Sequence, residues 1–169
     1  SGSVGIDACF ETDTGTSTKD ISIYLGTDRL NGFLIRARWE STSGVWKAQG
    51  YYGQAGAFGD PLAEVELTYT IGNILSFDIQ RDTERGVFYV YIWDSTAGTK
   101  PVTPTLKFYK VGYEDYQVFF SISGGGTYAG YIDNISIRAE SIVGRTNVEV
   151  TEPFWFRDEA KEDARRRYI

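Results

Sequence analysis

The segment from Ile74 to Asp94 reads ILSFDIQRDTERGVFYVYIWD, and its second half decides the fold. From Val87 to Trp93 every residue is apolar or aromatic. Val87, Tyr89, Tyr91 and Trp93 would share one face of a strand, and Phe88, Val90 and Ile92 the other. A sheet buried on one side would turn the Phe and aliphatic face inward, leaving the Tyr-Tyr-Trp face for a groove, a partner or a covering loop. Upstream, Leu75 to Ile79 fits a second strand, and Glu84-Arg85-Gly86 supplies a turn between the two.

Working outward, period-two alternation recurs in Ile21, Ile23 and Leu25. It recurs in Phe33, Ile35, Ala37 and Trp39 opposite Arg36, Arg38 and Glu40, and in Val65, Leu67, Tyr69 and Ile71 opposite Glu64, Glu66, Thr68 and Thr70. Leu106 to Val111, Tyr116 to Ser121 and Tyr131 to Arg138 fit further strands, and Thr146 to Thr151 fits one more. Turn signals separate them: Ser43-Gly44, the glycine-rich loop Gly53 to Pro61, Gly72-Asn73, Ser95 to Gly98 and Gly124-Gly125-Gly126. Helical spacing is scarce before residue 157. These features predict an all-β fold, a two-sheet antiparallel jelly-roll sandwich spanning residues 1–151.

Residues 152–169 change character and are expected to form a short helical extension. Asp158, Glu159, Glu162 and Asp163 precede Arg165, Arg166 and Arg167, an order that suits a helix dipole. The apolar stripe Ala160, Ala164, Tyr168 is too thin for such a helix to stand alone. Phe154, Trp155 and Phe156, with Arg165 and Arg166, are therefore the candidate interface of an assembly element.

Composition narrows the chemistry. The chain has 169 residues, 17 Lys plus Arg against 23 Asp plus Glu, no His and one Cys. Without histidine, His-based catalysis and the usual zinc and haem sites are excluded. The acidic balance and the absence of a basic stripe argue against nucleic acid as a partner, and no apolar run reaches the ~20 residues of a membrane-spanning helix. Ser1 to Gly5 has neither a signal-peptide pattern nor an initiator methionine, as expected of a processed or excised chain. The lack of Met and His and the excess of Arg over Lys suit a thermophile. Cys9, with no His or second Cys beside it, reads as a small buried hydrophobe rather than a nucleophile.

The hairpin Ile74 to Asp94, the stretch Gly130-Tyr131-Ile132-Asp133-Asn134-Ile135-Ser136-Ile137 and the strand Phe33 to Glu40 together resemble the concanavalin A-like jelly-roll sandwiches, particularly laminin-G-like and carbohydrate-binding-module domains. The resemblance covers about residues 32–138 and leaves out the first twenty or so. It implies three habits of that superfamily. One is hydrolysis by a Glu-x-Asp-x-Glu strand, to which Glu11-Thr12-Asp13-Thr14-Gly15 is the nearest match but lacks the third acid; Glu64 and Glu66 read as a solvated edge. Another is a loop-bound Ca²⁺, for which Asp133 matches the closing-strand aspartate and Asp7, Glu11 and Asp13 supply further oxygens. The third is a glycan on an aromatic platform, here Tyr89, Tyr91 and Trp93 at i, i+2, i+4, joined by Tyr51. Asn134-Ile135-Ser136 is a formal glycosylation sequon inside a predicted strand.

The reading that leads on these grounds is a non-catalytic structural subunit of an extracellular, cell-surface or virion-surface assembly. Its partners would be copies of itself or another structural subunit. A lone sandwich with no linked catalytic domain and a polar C-terminal extension favours that role, and edge strands accept neighbours. The alternative is a carbohydrate-binding module, Ca²⁺-stabilised, that takes glycans on the aromatic platform.

Overall fold

A computed structural model describes residues 2–13, 17–110, 116–125, 128–139 and 148–150, with the backbone alone at 13, 116, 139 and 148–150. Eleven strands make up these residues: β1 Gly2–Asp13, β2 Lys19–Asp28, β3 Asn31–Glu40, β4 Val45–Gly53, β5 Ala63–Leu67, β6 Leu75–Asp82, β7 Val87–Asp94, β8 Leu106–Tyr109, β9 Tyr116–Gly124, β10 Tyr128–Ala139 and β11 Val148–Val150. One sheet runs β10-β1-β6-β7-β8 and the other β11-β9-β2-β3-β4-β5. The pairings are antiparallel except that β11 lies parallel to β9. The all-β sandwich predicted above is the fold. The extension 152–169, with Phe154, Trp155, Phe156, Arg165 and Arg166, lies outside the described residues.

Alternation places one core between the two sheets. On β7 the predicted inward face is the buried one: Phe88, Val90 and Ile92 meet Ile23, Ile35 and Phe33 of the other sheet in a single cluster. Burying such side chains supplies most of the driving force, at roughly 1.5–3 kcal/mol each.

Three features differ from the sequence reading. The acidic N-terminal stretch is β1, an interior strand between β10 and β6, and it sends Val4, Ile6, Ala8 and Phe10 into the core. Val45–Gly53, read only as the space between two turns, is β4, pairing with both β3 and β5. The alternation at Val65 to Ile71 does not stay on one strand. It ends at Leu67, and Val65 on this edge strand is 40% exposed.

Beyond β5 the chain crosses toward the first sheet, and Tyr69 fastens the crossing. Its hydroxyl accepts from the Phe10 amide at 3.2 Å and donates to the Asn73 carbonyl at 2.9 Å. Its ring stands edge-on to Trp46 at 5.0 Å. Tyr69→Phe keeps the ring but leaves a buried amide without its acceptor. The expected cost is about 1–3 kcal/mol, read as a lower urea midpoint at unchanged slope; a shift under about 0.3 kcal/mol would show that the bond contributes nothing.

On β10 the pairing passes from Asp7↔Asp133 to Gly5↔Ser136, so two residues of β10 face one of β1. Asn134 takes up the excess with φ of 51°, a left-handed conformation that asparagine tolerates. The bulge resets the phase, so Ile132, Ile135 and Ile137 all pack on the core although simple alternation would separate them.

Candidate functional site

The second sheet has a solvent-side face that is unusually rich in interlocking polar groups. Register places Asp20 of β2 opposite Arg38 of β3, and Arg38 opposite Lys47 of β4. In the next row on the same face, Ser22, Arg36, Gln49 and Glu64 follow one another across β2, β3, β4 and β5. Strand alternation alone brings these charges together, since each row takes every second residue of its strand.

Arg36 is the hub. Its Nε donates to Gln49 Oε1 at 2.7 Å, one terminal nitrogen donates to the Tyr51 hydroxyl at 3.0 Å, and the guanidinium lies 4.8 Å over the Tyr51 ring. Gln49 in turn donates to Glu64 at 2.5 Å, and Lys47 bridges Glu64 at 3.0 Å and Glu40 at 3.2 Å. Asp20 faces both Arg36 and Arg38, at 3.7 and 3.6 Å. Burial pushes the Asp20 carboxyl above the usual carboxylate range, against the opposing pull of Arg38 and Arg36. Glu64 moves the other way, held low by the hydrogen bonds from Gln49 and Lys47.

Over this network opens a pocket of about 340 Å³, lined by Arg36, Arg38, Glu40, Gln49 and Tyr51 with the hydroxyl side chains of Thr18, Ser41 and Thr42. Its size is that of a small-ligand site, but its wall is polar, which suits a hydroxyl-rich or charged ligand over an apolar one. The arginines were visible in the sequence as the wet face of a strand. Their meeting with Gln49 and Tyr51 depends on β4, the strand the alternation did not disclose.

The expected platform lies on the other side of the molecule. Tyr89, Tyr91 and Trp93 project from the first sheet's outer face and are half-buried. The ammonium of Lys100, from the β7–β8 connection, sits 4.1 Å from the Tyr91 ring centroid and pairs with Asp78, which is opposite Tyr91 on β6. Lys107 of β8 lies 5.4 Å from the Tyr89 ring. Two of the three rings thus carry a cation, which a stacking sugar would have to displace. Tyr51 does not join them: alternation along β4 turns it to the opposite face of the sandwich, into the pocket.

Of the metal candidates, Asp7 and Asp133 are register partners. Asp7 accepts from Ser76 at 2.5 Å and from the Asn134 amide nitrogen at 2.8 Å. Glu11 is four residues further along β1, roughly 13 Å away, and the side chain of Asp13 lies outside the described ones. Among the described residues no group of three or more His, Cys, Asp or Glu side chains is gathered around a point where an ion would sit.

Cys9 is buried, and burial, then the charge of Glu11, pushes its thiol up. Burial likewise raises the Tyr69 phenol far above its usual range. Both groups keep their protons in the folded chain at pH values where the unfolded chain has released them. Their stabilisation is therefore complete below the ordinary thiol pKa and is lost as pH rises through the window above it. The melting temperature is expected to fall from pH 8.5 to 10.5, and less steeply in Cys9→Ala; identical slopes would refute the contribution. The native thiol should also resist maleimide until denaturant is added.

No protein-family model and no curated protein matches the chain. Solved structures do. Carbohydrate binding module CBM66 from Bacillus subtilis superposes with a TM-score of 0.55 at 9% identity, over 82% of this chain and 74% of that one. Ligand-free congerin I gives a TM-score of 0.47 at 12% identity over 80% of this chain and 90% of its own, too low to carry an argument. The first likeness establishes the jelly-roll sandwich and nothing finer.

Proposed function

We propose that this chain is a non-catalytic carbohydrate-binding module whose glycan site is the polar pocket over β3 and β4. The Arg36–Gln49–Tyr51 network carries the reading. A sugar presents hydroxyls in fixed directions, and donors and acceptors already locked to one another bind them with little ordering cost. Tyr51, with Arg36 over its ring, contributes its hydroxyl to that set rather than a stacking face. The fold shared with a carbohydrate-binding module supports this role over the structural subunit that the sequence favoured, and residues 152–169, one of the grounds for the assembly reading, lie outside the described residues. The non-catalytic part rests on the carboxylates: among the described residues Glu40 is the one acid on the pocket wall, and a glycosidase needs a second acid facing it across the bond to be cut.

The test is a glycan array on the wild type followed by calorimetry on two variants. Arg36→Gln should weaken binding by about 1.5–3 kcal/mol, roughly 10- to 160-fold in Kd, because the charge-assisted hydrogen bonds that hold Gln49 and Tyr51 in place are lost. Trp93→Ala, on the opposite face, should bind as the wild type does. Loss of binding in Trp93→Ala with retention in Arg36→Gln would move the site to the first sheet, and an array with no bound glycan would end the proposal.

A further inference from the structure

We infer that the pocket selects a carboxylate-bearing sugar, a uronate, and that Arg38 is the group that takes the carboxylate. The inference rests on the carbohydrate reading above and specifies the ligand's charge. Arg36 has its donors engaged by Gln49 and Tyr51, with its remaining terminal nitrogen turned toward Asp20. Arg38 lines the same pocket and, among the described residues, makes no hydrogen bond. Its charge contact is Asp20 Oδ1 at 3.6 Å, beyond hydrogen-bonding range, and its side chain is 30% exposed. One carboxylate thus stands between two guanidinium groups. Asp20 Oδ1 is itself buried without a hydrogen bond, held by the two charges rather than by either fork.

Glu40, the acid of the wall among the described residues, shares Lys47 with Glu64, at 3.2 and 3.0 Å. Counted with Asp20, Lys47 and Glu64 the network is neutral, but on the wall two guanidinium groups face one carboxylate, and Arg38 offers the planar set of N–H donors that no hydrogen bond occupies among the described residues. A lone hydroxyl would use a single donor of that fork. A carboxylate accepts two in parallel, the geometry in which arginine binds strongest and most selectively. The chain's overall charge of −6 repels anions at long range, so selection must come from this local contact and be sensitive to salt.

The experiment compares matched pairs: oligouronates from pectin, alginate and glucuronoxylan, and the same oligomers with their carboxyls reduced to alcohols. The wild type is expected to bind at least one uronate roughly tenfold or more tighter than its reduced partner, the preference shrinking in 0.5 M NaCl. Arg38→Gln should abolish the preference, and Arg38→Lys should retain part of it, having the charge without the fork. Glu40→Gln, which removes the wall's acid, should strengthen uronate binding. This variant and the salt series keep the test decisive should Arg38→Gln fail to fold. Equal or better binding of the reduced sugars, a preference that survives in Arg38→Gln, or a sulfated probe bound tighter than any uronate overturns the assignment while the carbohydrate reading stands. No binding to either member of any pair, together with a blank array, overturns both.

Discussion

Phe88→Ala is expected to lower stability by about 3–5 kcal/mol, which for a chain of this length moves the melting temperature by roughly 6 to 20 °C. Phe88 is fully buried at the place where the two sheets meet. It stacks on Phe108 at 4.8 Å and contacts Phe33 at 4.5 Å, with the guanidinium of Arg81 4.2 Å from its ring centroid. Truncation removes the ring from both aromatic contacts and exposes a buried cation to a void too well walled to collapse. Phe88→Leu should recover much of the loss, because it refills volume without restoring the ring. Equilibrium urea unfolding decides: a loss under about 1 kcal/mol would mean that this cluster is not the centre of the core.

Gly26→Ala is expected to cost on the order of 3 kcal/mol through the backbone rather than the core. A Cβ at Gly26 would lie 1.9 Å from the Asn31 carbonyl oxygen and 2.8 Å from the Gly32 Cα. Gly32, its register partner, has φ of +143°, and a Cβ there would come within 2.3 Å of the Leu25 oxygen. Neither obstacle is a side chain that could swing away. The β2–β3 hairpin must open at its turn to admit the methyl group. That pair also aligns Asp20 with Arg36 and Arg38, so glycan affinity should fall along with stability. Hydrogen exchange should report lost protection in β2 and β3 first; a variant within about 0.5 kcal/mol of the wild type would show that the turn relaxes freely.

The parts of the fold legible in the sequence were those where large apolar residues alternate without interruption. The β6–β7 hairpin and the inward face of β3 are of this kind. In β1 the alternation of Val4, Ile6, Ala8 and Phe10 is real, but Gly5, Asp7 and Cys9 between them are small or sparse enough to blur its contrast. In β4 the inward residues Trp46, Ala48, Gly50 and Tyr52 range from the largest to none, because Gly50 has Phe108 against it and no room for a Cβ. A bulge like the one at Asn134 is invisible to any fixed period. The candidate site was hidden for a related reason: Arg36 and Arg38 look like ordinary solvated charges until β4 sets Gln49 and Tyr51 beside them. Tyr51 has a ring that invites grouping with Tyr89, Tyr91 and Trp93, but it stands on β4 of the other sheet, and no spacing in the sequence says so.

The interior position of β1, between β6 and β10, has a consequence for how the chain comes into being. It is the earliest of the described strands to leave the ribosome, yet one of its neighbours is β10, so that Gly2 pairs with Ala139. Until β10 has been synthesised, β1 has at most its β6 side occupied and its other edge is open to any strand nearby. Non-local closure of this kind is paid in loop entropy before any contact is gained, which makes folding slow and exposes nascent chains to one another. Crowded synthesis should therefore favour exchange of β1 between chains, a swap whose product has the same pairings as the monomer but holds two molecules together.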